Sequence, residues 1–195
     1  MEANEQATAI PEDFLGQTPR LQIQVKRILR GLRTLWRGRF AFFALLRWKI
    51  TGGRRPVRVS LLVTKKCNLR CFYCYALDEI TDPTIQDASF EKLTGMIDEI
   101  YDSGCRWVNV LGGEPLARPD IEDVIDYIVK KGMLCELTTN GYYIRKRISA
   151  LKNLDHLAIS LDGNKEANDK ARFDVRGKGS FDHIIDGLTC AAEEG

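Results

Sequence analysis

The chain has 195 residues, 44% of them hydrophobic, enough for one domain with a packed core and an extension. Its six cysteines do not suit a secreted disulfide scaffold at this length, Met1–Phe14 lack the basic flank and apolar core of a secretory signal, and no window approaches the ~18 apolar residues of a membrane span. The net charge of +2 conceals a division: no acidic residue falls between Asp13 and Asp78, an interval with fifteen Lys and Arg, whereas Asp78–Gly195 carries fourteen basic and twenty-three acidic residues.

Residues 1–19 read as a mobile polar tail punctuated by Pro11, Gly16 and Pro19. Residues 20–52 read as a basic amphipathic helical extension. Leu21, Val25, Ile28, Leu29, Leu32 and Leu35 recur at helical spacing, with Lys26, Arg27, Arg30, Arg33 and Arg37 largely on the other faces. Gly38 is a candidate interruption. A second apolar stretch, residues 40–46, follows between arginines, with Trp36 and Trp48 near its ends. Its composition suits a segment lying in a membrane interface. Packing on the catalytic domain or on a partner domain is the alternative. Nucleic acid is not expected, because the arginines come with no recognisable binding motif.

A breaker-rich linker, Thr51–Pro56, opens the expected core at residues 53–195. Strands are predicted over Arg58–Val63, Trp107–Leu111, Leu134–Thr138 and Leu157–Leu161. Helices are predicted over Ser89–Asp102, Ile121–Lys130, Tyr143–Leu151 and from Ser180 onward. Ser89 and Asp120 are candidate N-caps. Apolar positions Leu93, Met96, Ile97 and Ile100, and later Ile184, Ile185 and Leu188, are expected inward. Alternating strands and helices imply α/β architecture with a parallel sheet, of which about four βα units fit here. Gly195 falls where a helix cap and a fifth strand are expected. The sequence is therefore expected to be the N-terminal part of a longer core, or a shortened one, with an open sheet edge.

The chemistry concentrates at the strand ends. After the first strand, Cys67, Cys71 and Cys74 put three thiols within eight residues, with Tyr73 before the third. Thiolates suit iron–sulfur clusters, zinc and Cu(I). Structural zinc usually takes four ligands, often in two pairs, whereas Cys105, Cys135 and Cys190 are scattered and His156 and His183 show no ligand spacing to the loop. A clustered trio beside single cysteines suits a reducing cytoplasm. After the second strand comes Gly112-Gly113-Glu114-Pro115. Its glycines allow close backbone approach, its carbonyls can accept from an ammonium, and Glu114 adds charge. Thr139-Asn140-Gly141 follows the third strand. Ser160-Leu161-Asp162-Gly163 follows the fourth, with Asn168, Arg172 and Arg176 beyond it.

These four stretches, in order at successive strand ends, resemble the radical S-adenosylmethionine (SAM) enzymes, with the resemblance covering residues 57–181. It implies a partial (βα) barrel and a 4Fe–4S cluster on Cys67, Cys71 and Cys74. It implies SAM on the open iron, held by Tyr73, Gly112, Gly113, Glu114, Thr139, Asn140, Ser160, Asp162 and Arg172. An electron from a flavodoxin or ferredoxin type donor would cleave SAM to a 5′-deoxyadenosyl radical that abstracts a substrate hydrogen. Arg176 competes with Arg172 for the SAM carboxylate. Asp162 either meets the ribose or caps the turn, and Asn168 stands where the family often has His. The series resembles the SPASM-type subgroup, which implies a peptide or protein substrate. A small metabolite, cofactor precursor or lipid is the other enzymatic reading, and an iron–sulfur electron carrier or zinc protein the non-enzymatic one. Four units alone are expected to make a poor catalyst.

Overall fold

The computed structural model describes residues 20–52, 56–82 and 84–194. The tail expected over 1–19 and the middle of the linker lie outside them. One helix, α1 (Arg20–Thr51), leads into β1 (Val59–Thr64), α2 (Leu77–Thr81), α3 (Phe90–Asp102), β2 (Trp107–Gly112), α4 (Ile121–Lys130), β3 (Leu134–Thr139), β4 (His156–Ile159), α5 (Lys165–Ala171) and α6 (Phe181–Glu194). Short 3-10 helices cover Pro115–Ala117 and Arg145–Leu151. The four strands are parallel in the order β1-β2-β3-β4, the open α/β arrangement of a partial barrel.

Alternation along each strand sorts the sheet into two faces. Leu61, Val63, Val108, Val110, Cys135 and Leu137 are buried under α3 and α4, joined by Leu93, Ile97, Val124, Ile125 and Ile128. The other face is polar in register: Ser60, Asn109, Glu136 and His156 align across the four strands. Arg58 donates to Glu136 at 2.8 Å, and Thr138 donates to Asn109 at 3.0 Å. Sequence reading singled out neither Asn109 nor Glu136. The alternation in Trp107–Leu111 and in Leu134–Thr139 is the signal that would have found them.

Several boundaries differ from expectation for identifiable reasons. Gly38 does not interrupt the extension, so a single helix stands where two stretches were expected. Ser89 accepts from the Lys92 N–H and caps α3, but Asp120 makes no side-chain cap on α4; it pairs with the buried Arg118 at 2.7 Å. Met96 is exposed, and α6 buries Ile184, Gly187 and Cys190, leaving Ile185 and Leu188 half-buried. α2 and α5 are additional, and both are short.

The direction of α1 is what the sequence left open between a membrane interface and packing on the domain. Its stripe Val25, Ile28, Leu29, Leu32 and Leu35 faces outward. The arginine side docks instead. Arg37 donates to Asp155 at 2.6 Å, with both side chains only 4% exposed. Thr34 donates to the same carboxylate at 2.8 Å, and Arg33 reaches the Lys152 and Leu154 carbonyls. Asp155 also accepts from the Cys135 N–H, so one carboxylate ties α1 to β3. Burial lowers the pKa of Arg37, with Asp155 opposing.

Candidate functional site

The three thiols sit on the loop between β1 and α2, all half-buried and free. This loop is fixed on three sides. From below, Asp87 accepts from Thr64 Oγ1 and the Lys65 N–H, while Arg118 donates to the Val63 and Ala88 carbonyls. From the far side, Arg70 and Phe72 donate their N–H groups to the Phe173 and Ala171 carbonyls, at 2.6 and 3.3 Å. Within the loop, the Arg70 side chain bonds the Cys67 and Leu69 carbonyls, and Leu69 is buried as its apolar anchor.

Gly112 and Gly113 form the third side. A Cβ on Gly112 would lie 2.3 Å from the Thr64 carbonyl oxygen, and one on Gly113 would lie 2.4 Å from that of Lys66. Gly113 and Glu114 donate their N–H groups to those same carbonyls at 2.8 Å. The close approach that calls for glycine here is therefore to the root of the cysteine loop. We expect Gly113→Ala to cost about 1–3 kcal/mol as an overpacking change and to reduce iron loading, since Lys66 precedes Cys67. Urea titration and iron content measure the two effects.

Glu114 was expected to bring charge to a ligand. It is fully buried and does not line the cleft. Its carboxylate accepts from Leu116 N–H at 2.9 Å, Thr139 Oγ1 at 2.7 Å and Asn140 N–H at 2.7 Å. Burial raises its pKa, and these donors oppose the rise. Glu114 thus fastens the end of β3 to the end of β2. Held there, Asn140 donates to Asn68 at 2.9 Å and places its amide 3.8 Å from Cys67 Sγ.

Beyond β4, Asp162 and Arg172 pair through two contacts, Nε–Oδ2 at 3.0 Å and Nη2–Oδ1 at 3.2 Å. Tyr73 donates its hydroxyl to Asp162, and its ring lies 5.5 Å from the Arg172 guanidinium carbon. This joins the cysteine loop to α5. Burial pushes the Asp162 carboxyl up, but bonds from Tyr73 and Arg172 outweigh it and leave its pKa lowered. The Tyr73 phenol rises to about 12, first through burial and then through Asp162. Asn168 is buried and accepts from the Asp162 N–H, while donating to Ser180. Asn168 is therefore a brace for the turn that carries Asp162. Arg176 is exposed and does not line the cleft.

These parts surround one cleft of about 310 Å³ at the carboxyl ends of the strands. Its walls include Cys67, Cys71, Cys74, Tyr73, Gly112, Gly113, Thr139, Asn140, Ser160 and Arg172. The donor set suits a soft-metal cluster: three thiols in one loop, with polar hydrogens aimed at the sulfurs. The Leu69 N–H donates to Cys67 Sγ at 3.4 Å, and Arg172 Nη1 lies 4.0 Å from Cys71 Sγ. Without metal, burial pushes the Cys67 thiol up to about 11, and Cys71 also rises through burial, with Arg172 opposing. A bound cation reverses that preference, because a coordinating thiol is deprotonated outright. Sequence reading did not identify Asp87 or Arg118, whose roles depend on partners distant in the chain.

Comparison with known proteins gives the same picture. Residues 61–195 match the model of the Radical SAM superfamily. The chain is 37% identical over 147 residues to Fe-coproporphyrin III synthase of Methanosarcina barkeri, covering 73% of this chain and 35% of that protein. It is 35% identical over 144 residues to GTP 3′,8-cyclase of Campylobacter fetus, covering 71% and 43%. Among solved structures, native anSMEcpe with bound AdoMet superposes with a TM-score of 0.56 at 22% identity, over 70% of this chain and 41% of that one. The same enzyme with AdoMet and Cp18Cys peptide superposes at 0.52 and 22%, over 69% and 40%. At that identity the superposition speaks for the fold, an incomplete barrel open beyond β4. The chain thus spans about two fifths of the length of these proteins, and it belongs to the radical SAM superfamily, whose members use a 4Fe–4S cluster and S-adenosylmethionine.

Proposed function

We propose that this chain carries the cluster-holding and SAM-holding part of a radical SAM enzyme acting on a peptide or protein. The supporting observation is the single cleft into which the three thiols, the two glycines, Ser160 and Arg172 all open. In this reading Cys67, Cys71 and Cys74 hold the cluster. When bound, the cluster and SAM supply an electron and a 5′-deoxyadenosyl radical.

The protein's own work is positioning. Arg172 would hold the ligand carboxylate, because Asp162 occupies Nε and Nη2 and leaves the rest of the guanidinium free to donate. Asp162 is thereby a positioning residue, and Tyr73 keeps it in line. Ser160 and the Gly112–Gly113 backbone face the same cleft and offer polar contacts to the rest of the ligand. Glu114 acts through Thr139 and Asn140. The electron donor is of flavodoxin or ferredoxin type. Six free cysteines accord with a reducing cytoplasm.

The peptide reading rests on the motif series after β4, and it is supported by a neighbour of this fold whose structure holds a Cp18Cys peptide. A small-metabolite substrate is the second reading, favoured by relatives named for coproporphyrin and GTP chemistry. Stimulation of 5′-deoxyadenosine release separates them: peptides raise it in the first case, nucleotides or porphyrins in the second.

The SAM assignment has its own test. Arg172→Ala should weaken SAM binding to the reconstituted protein by about 1.5–3 kcal/mol, the range of a charge-assisted contact. Arg176→Ala should leave it unchanged. Equal losses from the two substitutions, read by equilibrium dialysis, would remove the assignment.

A further inference from the structure

α1 presents an unusual arrangement of its two faces. In an ordinary surface helix the apolar stripe packs inward and the charged face meets water. Here Arg33, Thr34 and Arg37 pack inward on the segment before β4, and Lys26 pairs with Glu194 at 3.6 Å. The opposite side carries Leu32, Leu35, Trp36, Phe42, Phe43 and Leu46, recurring at three, four and seven residues and 43 to 73% exposed. The docking contacts lie at the amino end of β4, the opposite end of the strands from the cleft.

Charge decides what covers this stripe. α1 contains no Asp or Glu, and none occurs anywhere between Asp13 and Asp78. Arg39 stands within the stripe itself, stacked 3.9 Å over the Trp36 ring and 4.6 Å over Phe40. Arg27 and Lys49 stand exposed along the same helix. A second copy would bring like charges together across two such helices. An anionic lipid surface complements them: leucines and phenylalanines enter the acyl boundary while guanidinium and ammonium groups meet phosphates. An arginine stacked on an aromatic ring can extend its charged end to the headgroups from within an apolar stripe. No helix of the described residues is long and apolar enough to cross a membrane. At 1.5 Å per residue this helix is about 48 Å long, so contact along its length spreads over several turns.

We propose that the outward face of α1 is a docking surface for an anionic bilayer, with the helix in the membrane plane and its Arg33–Arg37 side clamped to the catalytic fold. The test is flotation of the whole chain with phosphatidylcholine vesicles containing about a quarter phosphatidylglycerol, and with phosphatidylcholine alone. The expected result is binding to the anionic vesicles, weaker at high salt, with a blue shift of tryptophan emission. Leu35→Glu with Phe43→Glu, both on the exposed side, should lower the partition at least about tenfold without moving the thermal midpoint. Undiminished binding by this variant would overturn the proposal. So would absence of vesicle binding by the parent chain, or a dimer in sedimentation that the variant disperses while vesicles bind neither form.

Discussion

Alanine in place of Cys67, Cys71 or Cys74 is expected to leave the chain nearly free of iron after anaerobic reconstitution, while alanine at Cys105, Cys135 or Cys190 leaves the iron content at that of the parent. The reason is topological. The first three thiols share one loop and one cleft, and the loop is braced by Arg118, Asp87 and the two glycines through contacts that use none of the three thiols. The other three are buried singly, and Cys135 is enclosed so completely that burial drives its thiol far above its ordinary pKa. A neutral thiol with no access to solvent is a poor ligand. Full iron in all three loop variants, or loss of iron from a buried one, would put the cluster elsewhere.

Arg37→Ala is expected to be the most damaging substitution outside the cleft. It removes one half of an ion pair whose two side chains are each 4% exposed. Asp155 would keep Thr34 and the Cys135 N–H but lose its counter-charge. Breaking a buried pair from one side typically costs about 3–5 kcal/mol, because the remaining charge is left uncompensated. Arg33, on the same face, reaches mainly backbone carbonyls and leaves no buried carboxylate behind when replaced. Hydrogen exchange should therefore show α1 losing protection in Arg37→Ala while β1–β3 keep theirs. Retained protection of α1, or a loss equal to that of Arg33→Ala, would show that Asp155 is not the anchor.

What could be read from the sequence followed from what is local in it. The strands and the long core helices announced themselves by period, and their ends fell within one or two residues of expectation; the helix expected over Tyr143–Leu151 is a 3-10 helix over Arg145–Leu151. α5 went unread because KEANDKA has no apolar stripe. Its only signal is Asn164, whose side chain accepts from the Ala167 N–H as a cap. The four motif turns were legible because chemistry in α/β folds sits at strand ends. Orientation was another matter. The stripe on α1 was visible, but its outward direction is set by Asp155, 118 residues from Arg37 in sequence. Glu114 was visible as a charge beside two glycines, yet its direction is set by Thr139 and Asn140 on another strand. From the sequence Asp162 suits a ribose contact or a turn cap, and its pairing with Arg172 and Tyr73 needs three elements brought together.

The cleft is expected to hold a four-iron cluster whose open iron takes SAM. Electron paramagnetic resonance of the reconstituted, dithionite-reduced chain, recorded with and without SAM, tests it most directly. About four irons per chain are expected, with a reduced-cluster signal that changes on adding SAM and a change that is lost in Arg172→Ala at the same SAM concentration. Stoichiometric zinc in place of iron, or a cluster signal that saturating SAM leaves unmoved, would contradict it.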